Sequence, residues 1–257
     1  MRIPTTLALA LLLAPGLASA NSCKHAENRE LPLDLDGITH VRFEVNSHEL
    51  RLEGVGAGAV APLAIRACAS DPDYLPQLVV ESTRSDDTLT VRLERRGKSM
   101  GIFFSPTYAN LAVQARLPAG LDYTVDVGSG DAVVTGVARL DAEVGSGDIE
   151  ARAIAGEVRA RVGSGDLDFS DVGSLDVASV GSGDLQASRV RGDVRIGSIG
   201  SGDADLDGVG GNVRVGRIGS GDLEADDIGG DLRVERLGSG DVDYSQVRGQ
   251  VSVPGDR

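Results

Sequence analysis

Seven aspartates occupy matching places in this chain. Asp131, Asp148, Asp166, Asp184, Asp203, Asp222 and Asp241 each close a Gly-Ser-Gly-Asp tetrapeptide. Carboxylates brought into one column could hold a hard cation such as Ca²⁺, which favours oxygen ligands. They could also accept hydrogen bonds from backbone N–H groups at a chain corner. Some such partner is needed, because neighbouring carboxylates ~5 Å apart repel by about 0.8 kcal/mol in water, and fourfold more at an effective dielectric of about 20. The Ca²⁺-binding repeat G-G-x-G-x-D separates Gly from Asp and has a period of nine, about half the one here. Backbone N–H groups are therefore the expected partners, with no cofactor, and Ca²⁺ is the alternative.

Two further columns follow from the spacing. Two residues after each motif Asp lie Val133, Glu150, Asp168, Gln186, Asp205, Glu224 and Asp243, mostly acidic. Eleven residues after it lie Arg159, Arg195, Arg214 and Arg233. These arginines read as a solvated face beside Asp193, Asn212 and Asp231, or as a stripe that takes an acidic glycan or envelope phosphate. The Gly-Ser-Gly serines are poor nucleophiles, since G-x-S-x-G chemistry needs a strand-to-helix elbow and no helix follows any copy. Catalysis needs one preorganised site, whereas seven equivalent serines suit a corner. His25, His40 and His48 are few and lie in the first half, so no catalytic residue is assigned and no enzyme is expected.

The elements that must position these columns are short strands. The tetrapeptides begin at Gly128, Gly145, Gly163, Gly181, Gly200, Gly219 and Gly238, at intervals of 17, 18, 18, 19, 19 and 19 residues. Alternation such as Leu223, Ala225 and Leu232, Val234 marks two strands per unit with one face buried. Such units are too short for a helix and cannot bury an apolar face alone, so each must stack on its neighbours by parallel pairing. The predicted fold is all-β: a right-handed parallel β-helix, or β-solenoid, of about seven coils of 17–19 residues, its lumen filled by small aliphatics with Phe169 and Tyr244. Glycine suits its corners through positive φ or close backbone approach.

An irregular β-strand module is expected to precede the solenoid. Alternation over 38–54 around Asn46-Ser47-His48 predicts a hairpin, with further strands near 61–68, 77–83, 88–95, 110–117 and 121–127. Residues 97–108, GKSMGIFFSPTY, gather Met100, Ile102, Phe103, Phe104 and Tyr108. They are read as a plug for the solenoid opening or as a loop that docks a partner. At the far end Pro254, Asp256 and Arg257 should discourage further strand pairing. The division is 1–20 signal peptide, 21–120 capping β module and 121–257 solenoid.

The GSGD-punctuated coils after an exported β-rich region resemble the bacterial auto-transporter adhesin head domain, also called the GIN domain, and its β-strand repeat relatives. That resemblance implies a right-handed parallel β-helix with adhesion as its suggested role, and it supplies no catalytic residue.

Composition narrows the function. The chain of 257 residues carries 39 Asp and Glu against 25 Lys and Arg, a net charge of −14, with no Trp. No basic excess exists to neutralise phosphates, which argues against nucleic acid. Arg2, the apolar run Leu7 to Ala14 and Ala18-Ser19-Ala20 read as a cleaved signal peptide. No later stretch is long and apolar enough to span a bilayer. Cys23 and Cys68, an even pair in an oxidising compartment, should form one disulfide worth about 3 kcal/mol. The expected protein is a non-catalytic exported solenoid, adhesin-like or an envelope scaffold, periplasmic or at the cell surface. The alternative is a binding module for divalent cations on the Asp column or an anionic glycan on the Arg stripe. An envelope or surface protein or glycan is the expected partner, and no oligomeric state follows.

Overall fold

The computed structural model describes residues 23–97 and 107–255. Along the chain come β1 (His25–Leu31), β2 (His40–Asn46), β3 (Glu49–Val55), β4 (Leu63–Ala69) and β5 (Leu78–Ser85). Next are β6 (Thr88–Arg95), β7 (Ala109–Pro118), β8 (Asp122–Val127), β9 (Asp131–Thr135), β10 (Arg139–Val144) and β11 (Asp148–Arg152). Then follow β12 (Glu157–Val162), β13 (Leu167–Ser170), β14 (Ser174–Val180), β15 (Leu185–Val190), β16 (Val194–Ile196) and β17 (Ala204–Val209). The last are β18 (Val213–Val215), β19 (Leu223–Ile228), β20 (Leu232–Val234), β21 (Val242–Tyr244) and β22 (Val251–Ser252).

These strands build two eleven-stranded sheets, one ordered β1-β4-β7-β3-β9-β11-β13-β15-β17-β19-β21 and the other β22-β20-β18-β16-β14-β12-β10-β8-β2-β6-β5. From β8 onward each coil gives one strand to each sheet, paired in parallel with the coil on either side. Period-2 burial follows at once: in β17 Ala204 and Leu206 point inward while Asp205 and Asp207 face solvent. The two inner faces meet in one aliphatic core that runs from Ile38 to Val234, with Phe43, Tyr123 and Phe169 its largest aromatics. The β-solenoid predicted from the repeat is present. Tyr244 departs from the expected lumen filling: it pairs with the lumen residue Ala225 on the last coil, but no coil covers it and it is 40% exposed.

The 38–54 stretch is also different from expectation. β2 and β3 do not pair with each other; β2 is parallel to β6 and β8, and β3 is parallel to β7 and β9. They form a coil of the same stack, and Asn46-Ser47-His48-Glu49 is its corner, with Glu49 in register with Asp131. The chain lays down β2/β3, adds β6/β7 on one side of it, and returns through 119–121 to continue on the other. A hairpin and a coil corner share the same alternation around polar turn residues, so the pattern alone does not separate them. The hairpin of this region is β5/β6, turning at Asp86 with φ 55°. Three antiparallel pairings, β4 on β7, β1 on β4 and β5 on β6, complete this end. Cys23 and Cys68 are joined by a disulfide that ties the start of β1 to β4, with Cα atoms 5.7 Å apart.

Glycine serves the Gly-Ser-Gly-Asp corner through close approach. A Cβ on Gly165 would overlap the carbonyl oxygen of Gly147, and one on Gly183 that of Gly165. Positive φ lies elsewhere, where the chain leaves the first sheet, at Gly136, Ala153, Asp171, Arg189, Gly208, Asp227 and Gln246.

Candidate functional site

The motif aspartates form the column that the spacing predicts, and five of the seven carboxylates, from Asp148 to Asp222, accept a backbone N–H. Oδ1 of Asp148 accepts the N–H of Asp166 at 3.1 Å, and Asp166 accepts that of Asp184 at 3.0 Å. The ladder continues from Asp184 to Asp203 at 3.0 Å, from Asp203 to Asp222 at 2.8 Å and from Asp222 to Asp241 at 2.8 Å. Each rung is a charge-assisted hydrogen bond between successive coils, which offsets the repulsion along the column. Asp131 lies at the foot of the column, its own N–H donating to the carbonyl of His48. Among the described residues, no group of three or more His, Cys, Asp or Glu side chains is arranged to hold a metal ion.

A second ladder, which the sequence reading did not anticipate, runs up the opposite corner. Oδ1 of Asp193 accepts the N–H of Asn212, Asn212 accepts that of Asp231, and Asp231 accepts that of Gln250, at 2.8–2.9 Å. Beside it stands the arginine column on the outer face of the second sheet. Arg195, Arg214 and Arg233, on β16, β18 and β20, are directly in register. Arg159 stands apart from them, between Asp141 and Asp176, and pairs with Glu157 at 2.7 Å. Arg195 lies 3.9 Å from Asp193, while Arg214 and Arg233 form no ion pair among the described residues. A groove of about 340 Å³ follows these three arginines along the rod, lined also by Asp193, Asn212 and Asp231. Arg217 and Arg236, exposed three residues further along the same coils, add charge the sequence reading passed over.

A file of mostly opposite sign runs along the first sheet. Val133, Glu150, Asp168, Gln186, Asp205, Glu224 and Asp243 align in register on its outer face. Asp205, Glu224 and Asp243 line a shallow groove with the motif aspartates Asp184, Asp203 and Asp222.

The remaining candidates fall in several places. Met100, Ile102, Phe103 and Phe104 lie outside the described residues, as do residues 1–20 and Asp256 and Arg257. Tyr108 is described: its hydroxyl accepts the N–H of Lys24 at 2.9 Å, and its own N–H donates to Oγ of Ser70 at 3.2 Å. His40 Nε2 meets Thr124 Oγ1 at 2.9 Å. His48 is buried, its Nδ1 accepting the N–H of Leu111 at 3.3 Å, and desolvation holds its pKa below the usual 6.5. Asn46 Nδ2 donates to the carbonyl of Leu93 at 2.7 Å. Strands β6 and β7 are joined through 96–108 rather than by a four-residue corner, so these two side chains meet backbone groups that a regular corner would have met. A polar pair flanking a serine between two alternating runs is the only sequence signal of that role. No helix among the described residues is long and apolar enough to cross a membrane.

No curated protein matches the chain. Solved structures similar to it include a candidate adhesin of Bacteroides fragilis NCTC 9343, 12% identical over 89% of this chain and 97% of that one, with a TM-score of 0.40. A candidate lipid binding protein of Parabacteroides distasonis ATCC 8503 is 18% identical over 89% and 97%, with a TM-score of 0.39. A candidate cell adhesion protein of Clostridium sporogenes ATCC 15579 is 10% identical over 88% and 100%, with a TM-score of 0.33. Whereas the tetrapeptide repeat resembles the adhesin head domain, the family model that matches is Toastrack DUF4097, over residues 65–255. That span holds all seven Gly-Ser-Gly-Asp corners and most of both sheets, and the chain belongs to the Toastrack DUF4097 family.

Proposed function

We propose that this protein is a non-catalytic, exported β-solenoid that works through its outer faces, as an adhesin-like or scaffold element of the cell envelope or surface. One observation carries the reading: the chemistry-bearing side chains stand in long files of near-equivalent positions, coil after coil, on open faces. Catalysis draws on a single preorganised constellation, whereas repeated files suit a ligand or partner that is itself extended. The Cys23–Cys68 disulfide supports an oxidising compartment, in keeping with the leader-like residues 1–20. Fractionation of tagged cells, together with attachment of a deletion strain to surfaces, tests it. The tagged protein is expected outside the cytoplasm and the deletion strain is expected to attach less; cytoplasmic protein with unchanged attachment would reject the reading.

Divalent cation binding on the motif aspartates is the second reading, favoured by the carboxylate oxygens that the backbone ladder leaves over. Thermal melting with and without millimolar Ca²⁺ decides it. With the ladder as the column's stabilising element the melting temperature stays put, and a rise that saturates with Ca²⁺ would favour the cation site.

A further inference from the structure

We propose that Arg195, Arg214 and Arg233 form a binding track for a linear acidic polysaccharide, with one anionic group of the chain engaged per coil. This names the ligand class of the surface-binding role above and rests on that reading.

Stacking these arginines carries a cost. Like charges directly opposite each other on neighbouring strands destabilise a sheet, and these arginines occupy consecutive strands at a spacing of ~4.8 Å. In a protein of net charge −14, neighbouring acids could neutralise such a column. Lower in the same row they do, with Asp141 and Asp176 on either side of Arg159. Along the upper three coils that alternation stops. Asp176 borders Arg195 alone, and Asp193 and Asp231, at the neighbouring corner, each commit Oδ1 to a backbone N–H of the next coil. Arg214 and Arg233 are left without an ion pair among the described residues, on a groove that runs with the rod.

The neighbouring groups select the kind of anion. Guanidinium groups favour carboxylate or sulfate oxygens in forked pairs. Next to each arginine stands Asp193, Asn212 or Asp231, all lining the same groove, with Asn212 Nδ2 donating to Oδ1 of Asp193 at 3.2 Å. Cationic and polar side chains thus run side by side up the track, which fits a chain bearing both acidic groups and hydroxyls. A strand-spacing repeat is also close to the length of one sugar residue in an extended chain. An anionic bilayer is a poorer fit. The two exposed large hydrophobic residues among those described, Tyr108 and Tyr244, belong to β7's leading end and β21 on the other sheet, so no large exposed apolar side chain among the described residues of this face would enter a headgroup region.

The test is a binding titration of the full chain against polygalacturonate, neutral dextran and phosphatidylglycerol vesicles, at low and physiological salt. The wild type is expected to bind polygalacturonate, to ignore dextran, and to weaken as salt rises. R195Q/R214Q/R233Q should lose at least about tenfold in affinity, or about 1.4 kcal/mol, and the single R214Q about threefold or more. R92Q/R116Q/R159Q removes as much charge away from the track and should stay within about twofold of wild type. Relief of the stacked charges should leave the melting temperature of the track variants equal to or above that of the wild type.

The track is overturned if the wild type binds no polygalacturonate, if it prefers vesicles, or if the two triple variants lose affinity alike. It is overturned too if R214Q by itself lowers the melting temperature, because the arginines would then be structural. A protein that fails this titration yet still supports attachment keeps the adhesin-like role on another face. One that passes it but remains in the cytoplasm keeps the track and loses the surface role.

Discussion

At the scale of single residues, the Gly-Ser-Gly-Asp corner divides its labour sharply. The second glycine is held by contact with the backbone below, whereas the serine points to solvent, as Gly165 and Ser164 illustrate. Gly165→Ala should cost about 2–4 kcal/mol by overpacking, and Ser164→Ala should stay within about 0.5 kcal/mol; urea unfolding of both variants measures the contrast. His48 occupies the glycine's place in the β2/β3 corner and is buried, with its pKa depressed by desolvation. The unfolded chain therefore takes up the proton first as pH falls. The contribution of His48 to stability is complete above about pH 6.5 and declines below it. His48→Gln should flatten the fall in melting temperature between about pH 7 and pH 5, and an unchanged slope would assign the acid sensitivity to other groups.

At the scale of elements, the drift in repeat length has a local cause. Two single-residue insertions produce it. The corner from Arg152 to Glu157 is one residue longer than that from Thr135 to Arg139, and Ala178 bulges out of β14 so that Arg161 pairs with Ser179. Coils carrying both insertions have 19 residues, as from Gly200 to Gly219. Deleting residues 201–219 should therefore rejoin two equivalent corners and leave a shorter, still cooperative rod. A deletion one residue shorter would put the following strand out of phase and turn its apolar side outward; circular dichroism and melting separate the two. Seven coils could be read because each repeats the glycine its corner requires. The β2/β3 coil carries Asn46 and His48 in those places, and the β6/β7 coil runs through 96–108, so neither shows the tetrapeptide. The arginine register was legible in part: spacing placed four arginines in one column, and only the pairing of β12, β14 and β16 shows Asp176 separating Arg159 from Arg195.

At the scale of the whole molecule, the ends differ. One is closed by β1, β4 and β5 and by the disulfide, while the other finishes in β21 and β22, three and two residues long. Such short terminal strands, followed by Pro254, offer little edge for pairing with another chain. In a stack held by nearest-neighbour contacts, local opening should start there. Amide exchange is expected to be fastest in β21 and β22 and slowest in β8 to β13; equal protection along the rod would mean that the coils open only together.

The position of β2/β3 between β6/β7 and β8/β9 also bears on how the chain comes into being. Its first coil is synthesised before either flank exists, and the second flank is complete only when about residue 135 has emerged. Until then the nascent chain presents naked strand borders rich in Val, Leu and Phe, the kind of surface that misassembles readily. A newborn polypeptide with this topology gains from a chaperone that shields its leading segment until the later one folds back over it.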